Sequence, residues 1–98
     1  MENKMNNYET IFIMNPNITE EQKNEVISKV EKYINENGKI TNRKDIGKRK
    51  LAYEINKNSH GDYYLIEFEC KPEVTYELER IYRITDEIMK FITIKKDN

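Results

Sequence analysis

The chain carries few side chains of the types that perform catalysis. Its one histidine, His60, stands beside Gly61 in a turn-like stretch, and its one cysteine, Cys70, ends a strand-like pattern. At about 3.3 Å per strand residue these two side chains lie roughly 30 Å apart, too far for a base to activate a thiol. We therefore expect His60 to be an exposed turn residue and Cys70 to be a buried small hydrophobe.

The remaining candidates for chemistry do not group into a site either. A single cysteine excludes an internal disulfide and a multi-cysteine zinc site, and three isolated glycines form no phosphate-binding loop. The carboxylates fall at helix-surface positions, where they are solvated. An acylphosphatase-like hydrolase would need an anion-binding loop after the first strand, but Asn15-Pro16-Asn17 offers neither glycine nor arginine there. The sequence predicts no enzyme, no cofactor, no metal site and no small-molecule substrate.

The length and composition are those of one small domain. The 98 residues are 37% hydrophobic and 36% charged, and fourteen isoleucines, seven tyrosines and three phenylalanines can fill one core. No apolar run approaches the roughly 20 residues that a membrane span needs, and the N-terminal residues are too polar for a signal peptide. We expect a single cytoplasmic domain over residues 1–98, with an ordered core of about 8–95, that does not enter a membrane.

The charge is segregated along the chain, although the net charge is only −1. Residues 39–60 carry seven basic and two acidic groups, whereas residues 61–89 carry three basic and eight acidic groups. The basic segment peaks at Lys48-Arg49-Lys50, and a smaller basic group lies in residues 90–98. A basic field over the whole domain, typical of nucleic-acid binding, is absent. The segregation indicates either one basic face or ordinary solvated surface.

Hydrophobic periodicity predicts two helices and four strands. A Thr19-Glu-Glu-Gln22 capping box opens the first helix, and Gly38 is expected to end it in a left-handed conformation. Pro72 suits the first turn of the second helix, and Thr85-Asp86 ends that helix. The predicted elements are a strand at 8–14, a helix at 19–37, an extended segment at 39–57, a turn at 58–61, a strand at 62–70, a helix at 73–84 and a strand at 90–95.

The order of these elements predicts a ferredoxin-like β-α-β-β-α-β sandwich of the α+β class. In it, a four-stranded antiparallel sheet carries both helices on one face. The apolar alternation changes phase around Gly47, where a bulge would return Leu51, Tyr53 and Ile55 to the core. Both parities are apolar in residues 91–94, so the facing of that last strand stays open.

The other face of the sheet has no cover from this chain and is expected to be an interaction surface. We expect it to lie beside Lys48 and Lys50, with an apolar centre made of Ile11, Ile13, Tyr63 and Leu65. The third strand matches the aromatic pattern of the RNA-recognition motif only loosely, so a base-reading motif of that type is a poor fit.

Three stretches of the sequence resemble one protein family. They are Tyr8-Glu-Thr-Ile-Phe-Ile-Met-Asn-Pro-Asn17, the segment Gly47-Lys-Arg-Lys-Leu-Ala-Tyr53 within residues 45–57, and residues 78–90. Together they resemble the bacterial small-subunit ribosomal protein S6 family over about residues 8–95. The resemblance implies a ferredoxin-like, non-enzymatic structural component of the small ribosomal subunit. It also implies binding to the central domain of small-subunit (16S) ribosomal RNA as a heterodimer with ribosomal protein S18.

The resemblance assigns residues to the expected RNA interface. Carried over by position, the family's basic residues fall on Lys48, Arg49, Lys50, Arg83 and Lys90. Such cations would position a phosphate backbone rather than read bases. Where the family has basic residues before the opening Tyr-Glu, this chain has Asn6 and Asn7 with Lys4 further out, and Glu54 replaces a usual proline. The alternative interpretation is a stand-alone ferredoxin-like protein-interaction or regulatory module that self-associates through its open sheet face.

Overall fold

A computed structural model of the chain describes residues 5–96 and confirms the ferredoxin-like order of elements. The elements are β1 Asn6–Met14, α1 Glu20–Asn37, β2 Gly38–Ile55, β3 Asn58–Cys70, α2 Pro72–Ile84 and β4 Ile88–Lys95. All neighbouring strands are antiparallel, in the order β2-β3-β1-β4. Lys4 lies outside the described residues, as do residues 97–98 of the expected C-terminal end.

The two ends of α1 have different local causes. Thr19 Oγ1 accepts a hydrogen bond from the Gln22 backbone N–H at 3.1 Å, and Gln22 Oε1 accepts one from the Thr19 N–H at 2.9 Å. The predicted capping box is therefore confirmed. The prediction for Gly38 is wrong, because its φ of −175° is extended rather than left-handed. Glycine is needed there because a Cβ atom would collide with the Glu69 carbonyl oxygen and lie 2.8 Å from Cys70 Cβ.

The main core lies between the sheet and the two helices. Strand residues of one parity meet the apolar faces of α1 and α2 there, and this core includes Cys70, as predicted. The buried hydroxyl groups of Thr10 and Tyr82 have hydrogen-bond partners, since Thr10 Oγ1 lies 2.9 Å from both the Tyr82 hydroxyl and Thr93 Oγ1. Neither helix within residues 5–96 is long and apolar enough to cross a membrane.

β2 and β3 form a hairpin that extends beyond the rest of the sheet. β3 pairs with β1 only from Asp62 onward, so residues 49–61, here called the hairpin arm, pair only with each other. The arm turns at Asn56 and Lys57, whose positive φ values of 52° and 66° are typical of a two-residue type I′ turn. The predicted turn at 58–61 is therefore wrong, because those residues already belong to β3.

The pairing of β2 with β3 is interrupted at three places. The bulge predicted near Gly47 is present, with Ile46 as the extra residue and Gly47 at a φ of +90°. A second bulge at Thr41 was not predicted. Each extra residue exchanges the two faces of a strand, so these two bulges cancel one another. Nearer the turn, four residues of β2 between Lys50 and Ile55 lie opposite a single residue of β3.

Candidate functional site

The four apolar residues predicted for the open sheet face form one block. In the register of β1 with β3, Ile11 lies opposite Leu65 and Ile13 lies opposite Tyr63. Opposite residues of an antiparallel pair share a face, and the helix-side residues between them, such as Phe12, belong to the core. Ile11, Tyr63 and Leu65 are half-buried, whereas Ile13 is only 8% exposed.

β4 extends this block and settles the facing that the sequence left open. Phe91 lies opposite Phe12 on the helix side, and Ile92 lies opposite Ile11 on the open side. Ile92 and Ile94 keep 58% and 49% of their surface exposed. The sequence did not identify these two isoleucines because apolar residues occupy both parities of β4. They make the open face larger than predicted.

Part of the hairpin arm folds over one end of the open face. Leu51 is buried, but it packs against Gly61 on this side and is not part of the main core. Tyr53 is 70% exposed, so its predicted place in the core is wrong, and Ile55 is half-buried. The arm and the sheet enclose a depression of about 120 Å³, which is lined by Ile13, Leu51, Ala52, Tyr53, Ile55, Tyr63 and Lys90.

The three consecutive basic residues of β2 do not share one face. Arg49 lies opposite Gly61, on the open side. Lys48 lies opposite Asp62, whose carboxylate meets α1, so Lys48 and Lys50 are on the helix side. The expectation that Lys48 and Lys50 lie beside the apolar centre of the open face is therefore wrong. The physical reason is the additional bulge at Thr41, which reverses the facing of every later residue up to position 50.

The other two predicted cations lie on opposite sides of β4. Lys90 pairs with Ile13 on the open face, and its Nζ lies 5.9 Å from the centre of the Tyr53 ring. Arg83 is in the last turn of α2, where its guanidinium carbon lies 5.9 Å from the centre of the Phe91 ring on the helix side. The fold therefore brings Lys90 to the hairpin arm but leaves Arg83 on the other face.

All five predicted RNA-binding cations are exposed, and none forms an ion pair within residues 5–96. The paired cations of this part of the chain are Lys23, Arg43, Arg80 and Lys96. Lys44, which the sequence did not single out, lies opposite Leu65 and adds another exposed cation to the open face. A cation without a carboxylate partner can approach a phosphate without first breaking an ion pair.

No catalytic constellation is present in the described part of the chain. Residues 5–96 contain no group of three or more histidine, cysteine, aspartate or glutamate side chains suited to a metal ion. Burial raises the pKa of the Cys70 thiol to about 11, so the thiolate that nucleophilic chemistry needs is scarce at neutral pH. His60 is exposed, as predicted, but it lies in β3 with Nδ1 at 3.0 Å from Ser59 Oγ.

The ferredoxin-like domain presents an apolar open sheet face and exposed cations that form no ion pair within residues 5–96. These are the features of a protein that binds other macromolecules. A family model for ribosomal protein S6 matches residues 7–95. The small ribosomal subunit protein bS6 of Caldanaerobacter subterraneus is 43% identical over 95 residues, covering 96% of this chain and 100% of the relative. The Clostridium novyi protein of that name is 46% identical over 94 residues, covering 95% and 99%.

The structural comparison agrees with the sequence comparison. The crystal structure of 30S ribosomal protein S6 from Thermotoga maritima is similar with a TM-score of 0.89 at 41% identity, covering 95% of this chain and 89% of that one. The chain therefore belongs to the ribosomal protein S6 family. It is a structural, non-enzymatic protein of the small ribosomal subunit, located in the cytoplasmic ribosome. This membership confirms the predictions of family, fold class, location and absence of enzymatic activity.

Proposed function

We propose that this protein binds the central domain of small-subunit ribosomal RNA as a heterodimer with ribosomal protein S18. The observation that carries the proposal is the set of exposed cations that form no ion pair within residues 5–96. In this proposal the phosphate contacts are made by Lys48, Arg49, Lys50, Arg83 and Lys90. Phosphate contacts of this kind fix the position of a protein on RNA and supply much of its affinity.

The open sheet face is the proposed contact with S18. Its centre is the block of Ile11, Ile13, Tyr63 and Leu65, to which Ile92 and Ile94 add exposed apolar area. Apolar surface of this kind, bordered by charged residues, is typical of a protein interface. Because Ile13 is nearly buried beneath the hairpin arm, its role would be to support Tyr63 and Leu51 rather than to touch the partner.

The net charge of −1 also favours a heterodimer over an independent RNA-binding protein. A few local cations in an otherwise balanced charge distribution produce only a weak long-range field. A partner that contributes phosphate contacts of its own would compensate for this weak field. The affinity of this protein alone for RNA is therefore expected to be low and strongly dependent on salt.

The test is the affinity for a central-domain rRNA fragment, with and without S18, over a series of salt concentrations. Tight, salt-sensitive binding only with S18 is the expected result. Replacing Lys48, Arg49 and Lys50 with Ala should weaken binding and reduce the salt slope by about 2–3, since each phosphate contact contributes about 0.7–0.9. A control that replaces the exposed lysines Lys29, Lys32 and Lys95 with Ala makes the same charge change away from the open face, since Lys29 and Lys32 lie on α1 and Lys95 lies opposite the core residue Tyr8. Equal behaviour of the two triple variants would contradict the assignment.

The second candidate function is self-association through the same open sheet face, favoured by the exposure of Ile92 and Ile94. Sedimentation of the isolated protein distinguishes the two candidates. A stable dimer that Ile92→Lys dissociates, together with no RNA binding in the presence of S18, would favour the self-associating module. A monomer that becomes a one-to-one complex on addition of S18 would favour the heterodimer.

A further inference from the structure

Tyr53 is exposed on the hairpin arm, although its sequence pattern predicts a core position. It keeps 70% of its surface accessible, a fraction matched among the described large hydrophobic residues only by Tyr76 on α2 at 72%. An aromatic ring at the surface beside a cation, here Lys90, is a common feature of sites that bind unpaired nucleotides. We propose that the ring of Tyr53 stacks on an unpaired base of ribosomal RNA, an inference that rests on the proposed function.

Contacts with the sheet below limit the orientations of the ring. Lys90 Nζ lies 5.9 Å from the ring centre, within the range of a cation–π contact. Lys90 is itself held on β4 opposite Ile13, at the floor of the depression that the arm and the sheet enclose. Leu51, two residues before Tyr53, is buried against Gly61 and anchors this part of the arm to the sheet. A ring that is already oriented loses little conformational freedom when a base stacks on it.

The surrounding charge favours a nucleotide over an apolar protein segment as the occupant. Lys90 is exposed beside the ring, and Arg49 lies earlier on the open side of β2, neither of them paired with a carboxylate in the described part of the chain. An unpaired nucleotide offers a flat base next to a phosphate, which matches an aromatic ring next to a cation. The depression measures only about 120 Å³, so in this proposal the base lies against the ring rather than inside the depression.

Two sets of variants test the proposal in the complex with S18 and the central-domain rRNA fragment. Tyr53→Ala and Tyr53→Leu both remove the aromatic face and should weaken RNA binding about 5- to 150-fold, the range found for loss of one stacked base. Tyr53→Phe keeps the aromatic face and should bind within about twofold of the wild type. The Tm of each variant without RNA shows whether the domain is still folded, and little change is expected because the side chain is so exposed.

A fluorescence measurement identifies the occupant directly. The chain contains no tryptophan, so Tyr53→Trp introduces its one indole emitter, and Tyr76→Trp is an equally exposed control on α2. Stacking predicts that the rRNA fragment quenches the emission of the Tyr53→Trp complex and leaves that of the Tyr76→Trp complex unchanged, after subtraction of the emission of the wild-type complex.

Each alternative outcome overturns the stacking proposal in a distinguishable way. If the Lys48, Arg49 and Lys50 triple variant loses affinity while Tyr53→Ala does not, and no quenching occurs, RNA binding stands and stacking is wrong. If S18 alone changes the Tyr53→Trp emission and RNA adds nothing, the ring contacts the protein partner. If the wild-type complex does not bind the fragment, the proposed function fails, and the stacking proposal fails with it.

Discussion

Lys23 of α1 connects the helix to two strands at once, and replacing it should be among the more destabilising surface changes. Its Nζ lies 3.1 Å from Asp45 Oδ2 on β2 and 3.1 Å from Asp62 Oδ2 on β3. The Asp62 side chain is only 7% exposed and that of Lys23 only 13%, whereas that of Asp45 is 51% exposed. Lys23→Met preserves the length of the side chain and leaves the buried Asp62 carboxylate without a cation.

The two ion pairs should contribute unequally because their burial differs. Removing one partner of a buried ion pair costs about 3–5 kcal/mol, because the other charge stays buried without a partner. Since both side chains keep some exposure here, we expect Lys23→Met to cost about 3 kcal/mol, the lower end of that range. The pair with Asp45 is open to water, so Asp45→Ala should cost less than about 1 kcal/mol. For a domain of this size, the loss of 3 kcal/mol lowers the Tm by roughly 12–24 °C.

Urea denaturation followed by circular dichroism at pH 7 measures these differences. Lys29→Met is the matched control, because Lys29 lies on the same helix, is exposed and forms no ion pair within residues 5–96. It should change the free energy of unfolding by less than about 0.5 kcal/mol. A cost below about 1 kcal/mol for Lys23→Met, or equal costs for Asp45→Ala and Asp62→Ala, would refute the reasoning from burial.

The same cluster predicts a pH dependence of defined sign. Burial lowers the pKa of Lys23, but its hydrogen bonds and charge interactions with Asp45 and Asp62 outweigh burial, so the pKa is raised above 10.5. A raised lysine pKa stabilises the fold fully below the ordinary value and loses that contribution as the pH rises through the folded-state value. The stability difference between wild type and Lys23→Met should therefore be constant from about pH 7 to pH 10 and shrink above that. A difference that already falls between pH 7 and pH 9 would contradict this.

Two further predictions concern Gly38, where β2 begins opposite the last residue of β3, and the buried thiol of Cys70. Gly38→Ala should reduce the free energy of unfolding by about 1–3 kcal/mol in urea denaturation, because the new Cβ would collide with the Glu69 carbonyl oxygen; unchanged stability would show that the two strands separate easily there. Cys70 in the native protein should react with a thiol reagent at pH 8 far more slowly than in the urea-unfolded chain, since burial raises its pKa to about 11. Equal labelling rates in the two states would show that the thiol is accessible.

The fold was predictable from the sequence because its local signals agree with one another. The capping box at Thr19, the proline at the start of α2 and the apolar periodicity of both helices define the helical elements without reference to tertiary structure. The alternation of β1 and β3 likewise identifies the helix side of the sheet, since both strands lie at its centre and are covered on that face. Ile11 and Leu65 therefore fall on the open face, as the sequence predicted.

The hairpin arm was predicted less well, because it extends beyond the strands that would define its faces. Alternation shows that Leu51 and Tyr53 share a face, but it does not say whether anything covers that face. The turn at Asn56 and Lys57 was also missed, since the usual sequence signal for a type I′ turn is asparagine followed by glycine, and lysine occupies the second position here. The neighbouring Asn-Ser-His-Gly sequence gave a stronger turn signal at the wrong place.

The facing of the basic residues depends on counting the bulges of β2 correctly. The change of apolar phase around Gly47 indicates one bulge, and one bulge after Ile40 would place Tyr53 in the core and Lys50 on the open side. The bulge at Thr41 leaves no mark in the sequence, because the residues that follow it are polar on both faces of an edge strand. With both bulges present, the faces are restored to their original phase up to position 50, so Arg49 lies on the open side. Tyr53 lies beyond position 50, in the part of β2 where four residues face one residue of β3, and there its ring lines the depression beside Lys90.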